Sequence, residues 1–152
     1  GSPLCASRPL LFDGLVYFMT ADADWAKKTL ESAINEIISG GLFDNPFLQA
    51  RPVWQIGGSL LIAECQAGED RYWLIAGNDS PTDLIAGDTA VSAREAARHF
   101  ALKWQLAAEK LKAGEVATPS NLTADELVKR VAHLIRCAES LHELAQQTSI
   151  WE

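Results

Sequence analysis

Residues 71–104 read RYWLIAGNDSPTDLIAGDTAVSAREAARHFALKW, and this stretch decides the fold class. Tyr72–Ala76 is apolar at successive positions, the pattern of a strand covered on both faces. Asn78–Asp88 follows as an acidic turn, since Asn, Asp, Ser and Pro bend the chain through their own side-chain chemistry. Inside it, Asp83–Ala86 can return as a short strand. Ser92-Ala-Arg-Glu95 is then a capping box, in which the Ser hydroxyl and Glu carboxylate take up amides that the first turn of a helix leaves unpaired.

Upstream, Leu60–Gln66 is likewise apolar at successive positions over Leu60–Ala63 and is joined to Tyr72–Ala76 by the polar Gly68-Glu69-Asp70 turn. The two are expected to form an antiparallel hairpin. Val53–Ile56 reads as a short strand before Gly57-Gly58. Ahead of it, Asp22–Ser39 carries Ala26, Leu30, Ala33, Ile34, Ile37 and Ile38 at helical spacing. Asp22 and Asp24 are placed in its first turn, and Gly40-Gly41 ends it. Leu10–Thr20 is apolar with no decisive period and stays open between helix and strand.

Downstream, the Ser92 helix is expected to bury Ala93, Ala97, Phe100, Trp104, Ala107 and Leu111. Leu102 and Leu106 fall on another face, so this helix should meet two neighbours. A second capping box, Thr123-Ala-Asp-Glu126, opens a helix presenting Leu127, Val131, Leu134, Ile135, Ala138, Leu141 and Ala145. Residues 114–121 connect the two as an antiparallel pair. With the strands in one block, the fold class is α+β: an antiparallel three- to four-stranded meander packed with one N-terminal helix and two C-terminal helices. Residues 1–152 are read as a single domain, with 1–9 disordered and Gly1-Ser2 an appended remnant.

Composition narrows the function classes. The net charge is −7, with no basic cluster. Such a chain is repelled by phosphate backbones and anionic lipid, which excludes nucleic-acid and membrane partners. Residues 91–118 alone are basic, through Arg94, Arg98, Lys103, Lys110 and Lys112. Three cysteines, Cys5, Cys65 and Cys137, lie far apart without a CxxC pair, which argues for a reducing, cytoplasmic location. The longest charge-free run, 52–63, is too short to span a bilayer.

No motif announces chemistry. Gly57-Gly58-Ser59 and Ile75-Ala76-Gly77-Asn78 lack the Lys-Ser/Thr of a phosphate loop and the GxGxxG of a dinucleotide fold, so no cofactor is implied. His133 and Cys137 share a helix face, as two metal ligands would, but His142 falls about 140° away and no third ligand is evident. No metal site is assigned. Trp151 either folds back onto the core or anchors a partner.

The best candidate site is the Asn78–Asp88 turn. Asp79, Thr82 and Asp83 could converge with Arg94 on a polar ligand, in a pocket walled by Trp73 and Trp104. The alternative is a turn built for its own sake. On either reading Asp83→Ala should cost under about 1 kcal/mol.

Trp73, Gly77, Pro81, Thr82, Asp83, Arg94, Glu95, Ala96, Phe100 and Trp104 also carry a resemblance. Their arrangement is similar to an uncharacterised bacterial family, domain of unknown function 4826. Its pattern is a Trp-rich strand, a Gly-Asp-x-Pro-Thr-Asp-aromatic turn, and a Pro-Arg-Asp/Glu-Ala helix start running to Phe-x-x-x-Trp. This chain departs from it at Asn78-Asp79-Ser80, Leu84 and Ala93. The closing Ile150-Trp151 is also similar. The resemblance brings no activity.

Three functions compete. The first is a non-enzymatic binding or interaction protein with a protein partner. The second is a small-molecule-binding protein or enzyme using the Asn78–Asp88 turn and Arg94. The third is a homodimer formed through unpaired apolar faces.

Overall fold

The computed structural model describes residues 10–40, 49–115 and 122–151. Helix α1 (Leu10–Ser39) precedes strands β1 (Gln49–Ile56), β2 (Leu60–Ala67), β3 (Asp70–Gly77) and β4 (Asp83–Ala86). Helices α2 (Ala93–Ala113) and α3 (Ala124–Gln146) follow, and 3-10 turns occupy Gly87–Thr89 and Ser149–Trp151. The strands form one antiparallel sheet in the order β1-β2-β3-β4. The α+β class and the meander are as the sequence implies, with four strands.

Both faces of the sheet are covered, which is why β2 and β3 do not alternate in polarity. Leu61, Ala63, Cys65, Leu74 and Ala76 pack against Leu30, Ala33 and Ile37 of α1. Leu60, Ile62, Trp73 and Ile75 pack on the other side against Ala97, Phe100, Trp104 and Leu141 of the α2–α3 pair. Leu61, Ile62, Leu74 and Ile75 are wholly buried, each contributing about 1.5–3 kcal/mol by leaving water.

Strand β1 serves both layers by means of a bulge. Ala50 pairs with Cys65 and Pro52 with Ala63, but the register then shifts so that Trp54 faces Ile62 and Ile56 faces Leu60. The extra residue, Val53, exchanges the two faces. Ala50 therefore joins the α1 layer, while Trp54 and Ile56 join the α2–α3 layer. Pro52 and the bulge also blunt an edge strand that would otherwise invite pairing.

Some boundaries differ from those read in the sequence. Leu10–Thr20 is helical and continuous with the following segment, so Asp22 and Asp24 lie inside α1 rather than in its first turn. Asp24 instead pairs with Lys28 at 3.1 Å, one turn on. Strand β1 begins at Gln49, four residues before the expected start. Along α2, Ala101 and Ala108 are buried while Ala107 and Leu111 are partly exposed, because α3 lies along the Ala101–Ala108 side. Gly40 donates to Glu36. The readings of residues 1–9, Gly41 and 116–121 fall outside the described residues.

The first capping box closes from both sides, and the second forms its Thr123 cap. Ser92 accepts from Glu95 N–H at 3.2 Å and Glu95 reaches back to Val91 N–H at 3.0 Å. Thr123 accepts from Glu126 N–H at 3.1 Å. Helix α2 ends at Gly114, whose φ of 73° is the left-handed conformation that glycine takes without strain.

Candidate functional site

The loop after β3 lies where the sheet end meets α3. It is held close to the β1–β2 turn: a Cβ on Gly77 would collide with the Ser59 carbonyl. Asn78 then fastens the turn to its surroundings. Its backbone N–H donates to Ser59 O at 3.0 Å and its side chain donates to Gly58 O at 2.6 Å. Its side-chain oxygen accepts from the Trp25 indole of α1 at 3.3 Å.

A cleft of about 510 Å³ opens between this loop and α3. Ile56, Leu60, Trp104, Leu141 and Leu144 give it apolar walls, and Ser59, Asn78, Asp79, Ser80, Arg136, Cys137 and Ser140 line it with polar groups. Asp79 and Arg136 are both exposed, and among the described residues no ion pair joins them. The Cys137 thiol donates to the Asp79 carbonyl at 3.4 Å and stands 3.5 Å from His133 Nε2. Burial pushes this thiol above its ordinary pKa, the Asp79 carboxylate adds to the rise, and Arg136 opposes it.

The six residues singled out in the sequence are distributed among different tasks. Asp79 and Trp104 line this cleft. Thr82 lines a second cleft on the opposite side of the loop, about 330 Å³, shared with Lys28, Thr29, Ser32 and Glu36 of α1. Trp73 is buried and donates to the Ala90 carbonyl at 3.0 Å.

Asp83 is bound into the framework. One carboxylate oxygen accepts from Lys103 at 2.7 Å and from the Leu84 N–H at 2.8 Å; the other accepts from the Trp104 indole at 3.0 Å. Arg94 donates to the carbonyls of Ala145 at 2.7 Å and Gln146 at 3.4 Å, which the end of α3 leaves without helical partners. Asp83 is anchored at Lys103 and Trp104, about 15 Å along α2 from Arg94 at 1.5 Å per residue. The structure does not bring Arg94 to the turn.

Lys103 meets the turn at Asp83, and the cation that lines the cleft beside Asp79 is Arg136, which sequence reasoning missed. Nothing local marks it, because the loop it faces is distant in the chain. His133 and Cys137 share a face as expected, yet among the described residues no group of three or more His, Cys, Asp or Glu side chains could hold a metal ion.

The family model described as Domain of unknown function (DUF4826) matches residues 26–151. The chain belongs to this family. Comparison with curated proteins and with solved structures finds no match. The DUF4826 match runs from inside α1 to Trp151 and so takes in the whole sheet, both C-terminal helices and the cleft. The residues that carried the resemblance now have physical tasks. Gly77 permits the close approach of two turns, and Asp83 gathers three donors. Arg94 closes α3, while Trp73, Phe100 and Trp104 fill the core. In this DUF4826 chain the recognisable turn-and-helix pattern builds the frame, and the cleft forms beside it.

Proposed function

We propose that the protein is a non-enzymatic binding protein whose ligand is a small zwitterion with an apolar body, of the class of apolar and aromatic α-amino acids. One observation carries this reading: Asp79 and Arg136, opposite in charge and not paired with each other, line a cleft that also presents an apolar wall of Ile56, Leu60, Trp104, Leu141 and Leu144. A ligand carboxylate would meet the Arg136 guanidinium in a charge-assisted bond. Its ammonium would meet Asp79, and its side chain would lie on Ile56, Leu60, Leu141 and Leu144. The volume is within the roughly 300–1,000 Å³ of small-molecule sites, and convergent polar groups on apolar walls are their usual composition. Cys137 is held as a thiol, a poor nucleophile, which favours binding over covalent catalysis.

Isothermal titration calorimetry with L-phenylalanine, 3-phenylpropionate and phenethylamine tests the proposal. L-phenylalanine binds, and each analogue lacking one charge binds at least about tenfold more weakly, the effect of losing one charge-assisted bond. Arg136→Ala removes the advantage of the amino acid over the amine, and Asp79→Ala its advantage over the acid. Equal binding of all three compounds, or no heat from any apolar amino acid at millimolar concentration, overturns the proposal.

A further inference from the structure

Helix α2 has an outward face for which the described chain supplies no neighbour. Leu102 and Leu106, one turn apart, are 53% and 47% exposed. Beside them, between α2 and α3, lies a groove of about 470 Å³, floored by Ala101, Ala108 and Ala138 and bordered by Leu102, Gln105 and Ile135. It is separate from the proposed ligand cleft, which uses Arg136, Cys137 and Ser140 on another flank of α3.

The charges along this face identify the occupant. Glu95, Arg98, Leu102, Gln105, Glu109 and Lys112 recur at alternating steps of three and four, so they form one stripe. In an antiparallel pairing of two such stripes, the first position of each step meets the second on the other helix. Leu102 then faces Gln105, Glu109 faces Arg98, and Glu95 faces Lys112, each contact occurring twice across the two-fold axis. Every charge meets its opposite, and a parallel pairing would oppose like charges. Within one chain, Arg98 and Glu109 stand about 16 Å apart along the helix at 1.5 Å per residue. Among the described residues neither Arg98, Glu109 nor Lys112 has an ion-pair partner.

We infer that this face is a two-fold symmetric interface between two copies of the chain. Leu102 of each copy enters the α2–α3 groove of the other, and the Arg98–Glu109 pairs fix the antiparallel direction. The isologous geometry lets one patch serve both subunits, and the charges set register and orientation more than affinity. The four helices, α2 and α3 from each copy, then form a bundle with the sheets outside.

Sedimentation velocity over a concentration series, with charge-reversal variants, tests the inference. The wild-type chain sediments at twice the 16.5 kDa of one chain. Leu102→Glu, at a solvent-facing position where folding is unaffected, gives the monomer with an unchanged circular dichroism melt. Arg98→Glu and Glu109→Arg each weaken association about tenfold or more, because each places like charges across the axis twice. The double variant Arg98→Glu/Glu109→Arg recovers the dimer, a rescue that only contact between copies can produce. A wild-type monomer at all concentrations, a dimer indifferent to Leu102→Glu, or a double swap without rescue each overturns it.

Discussion

Asp83 shows how a residue can be legible in a sequence while its task is not. Its place in an acidic turn suggests a turn former or a ligand contact, with little effect on stability. The structure gives its carboxylate donors from Lys103, Trp104 and Leu84, and removing it strands the buried Trp104 indole N–H. Asp83→Ala should therefore lower the unfolding free energy by about 1.5–3 kcal/mol, the range for losing a hydrogen bond to a charged group, as read by urea denaturation. A loss under about 1 kcal/mol would return Asp83 to a surface role. The two described cysteines give a pH prediction. Burial pushes Cys65 up to about 12, and Cys137 is raised above 9.0 by burial and then by Asp79. Raised folded values favour the thiol, so their contribution to stability holds below 9.0 and fades as pH climbs through the folded values. Mass-mapped alkylation of Cys137 should still be accelerating with pH at 9.0, where an ordinary thiol begins to level off. Asp79→Asn shifts that profile to lower pH and Arg136→Ala to higher pH. Unchanged profiles in both variants would remove the two charges from the surroundings of Cys137.

At the scale of elements, the readable signals were local ones. The N-caps at Ser92 and Thr123 and the β2–β3 hairpin depend on neighbours in sequence, and each formed where it was read. The β1 bulge was not readable, because Val53 is extra only in relation to β2. Nor was the burial of Ala101 and Ala108, which depends on the side from which α3 approaches α2. The chain's final turn is a long-range element of the same kind. Trp151 folds back: its ring stacks on Trp54 at 4.1 Å, and its indole donates to Leu144 O at 2.9 Å. Trp54 returns a bond to Ile150 O at 2.8 Å, and Arg94 holds the preceding carbonyls. Trp151→Ala should cost about 2–4 kcal/mol, combining a lost aromatic pair, a lost hydrogen bond and partial burial. It should also speed amide exchange along the end of α3. A change under about 0.5 kcal/mol, the ordinary range for surface substitutions, would make the C-terminal turn an ornament of the fold.

The whole molecule is a sheet between one long helix and a helix pair. That arrangement was legible because Leu60–Ala63 of β2 and Tyr72–Ala76 of β3 are apolar at successive positions, which cover on both faces explains. The candidate site was legible in part. The Asn78–Ser80 loop was identifiable as polar and constrained, but its facing partners on α3, Arg136, Cys137 and Ser140, become neighbours only through the tertiary fold. Arg94 and Asp83, prominent in sequence, are engaged in holding the frame that shapes the cleft. The central claim is that this cleft, and not another surface, takes an apolar amino acid. Its most direct test is a ¹H–¹⁵N correlation spectrum of the labelled protein titrated with L-phenylalanine. Shifts concentrated at 56–60, 78–80 and 136–144, and abolished by the cleft-filling Ser140→Trp, are the predicted result. Shifts confined to another surface, or a spectrum unmoved at millimolar ligand, would contradict it.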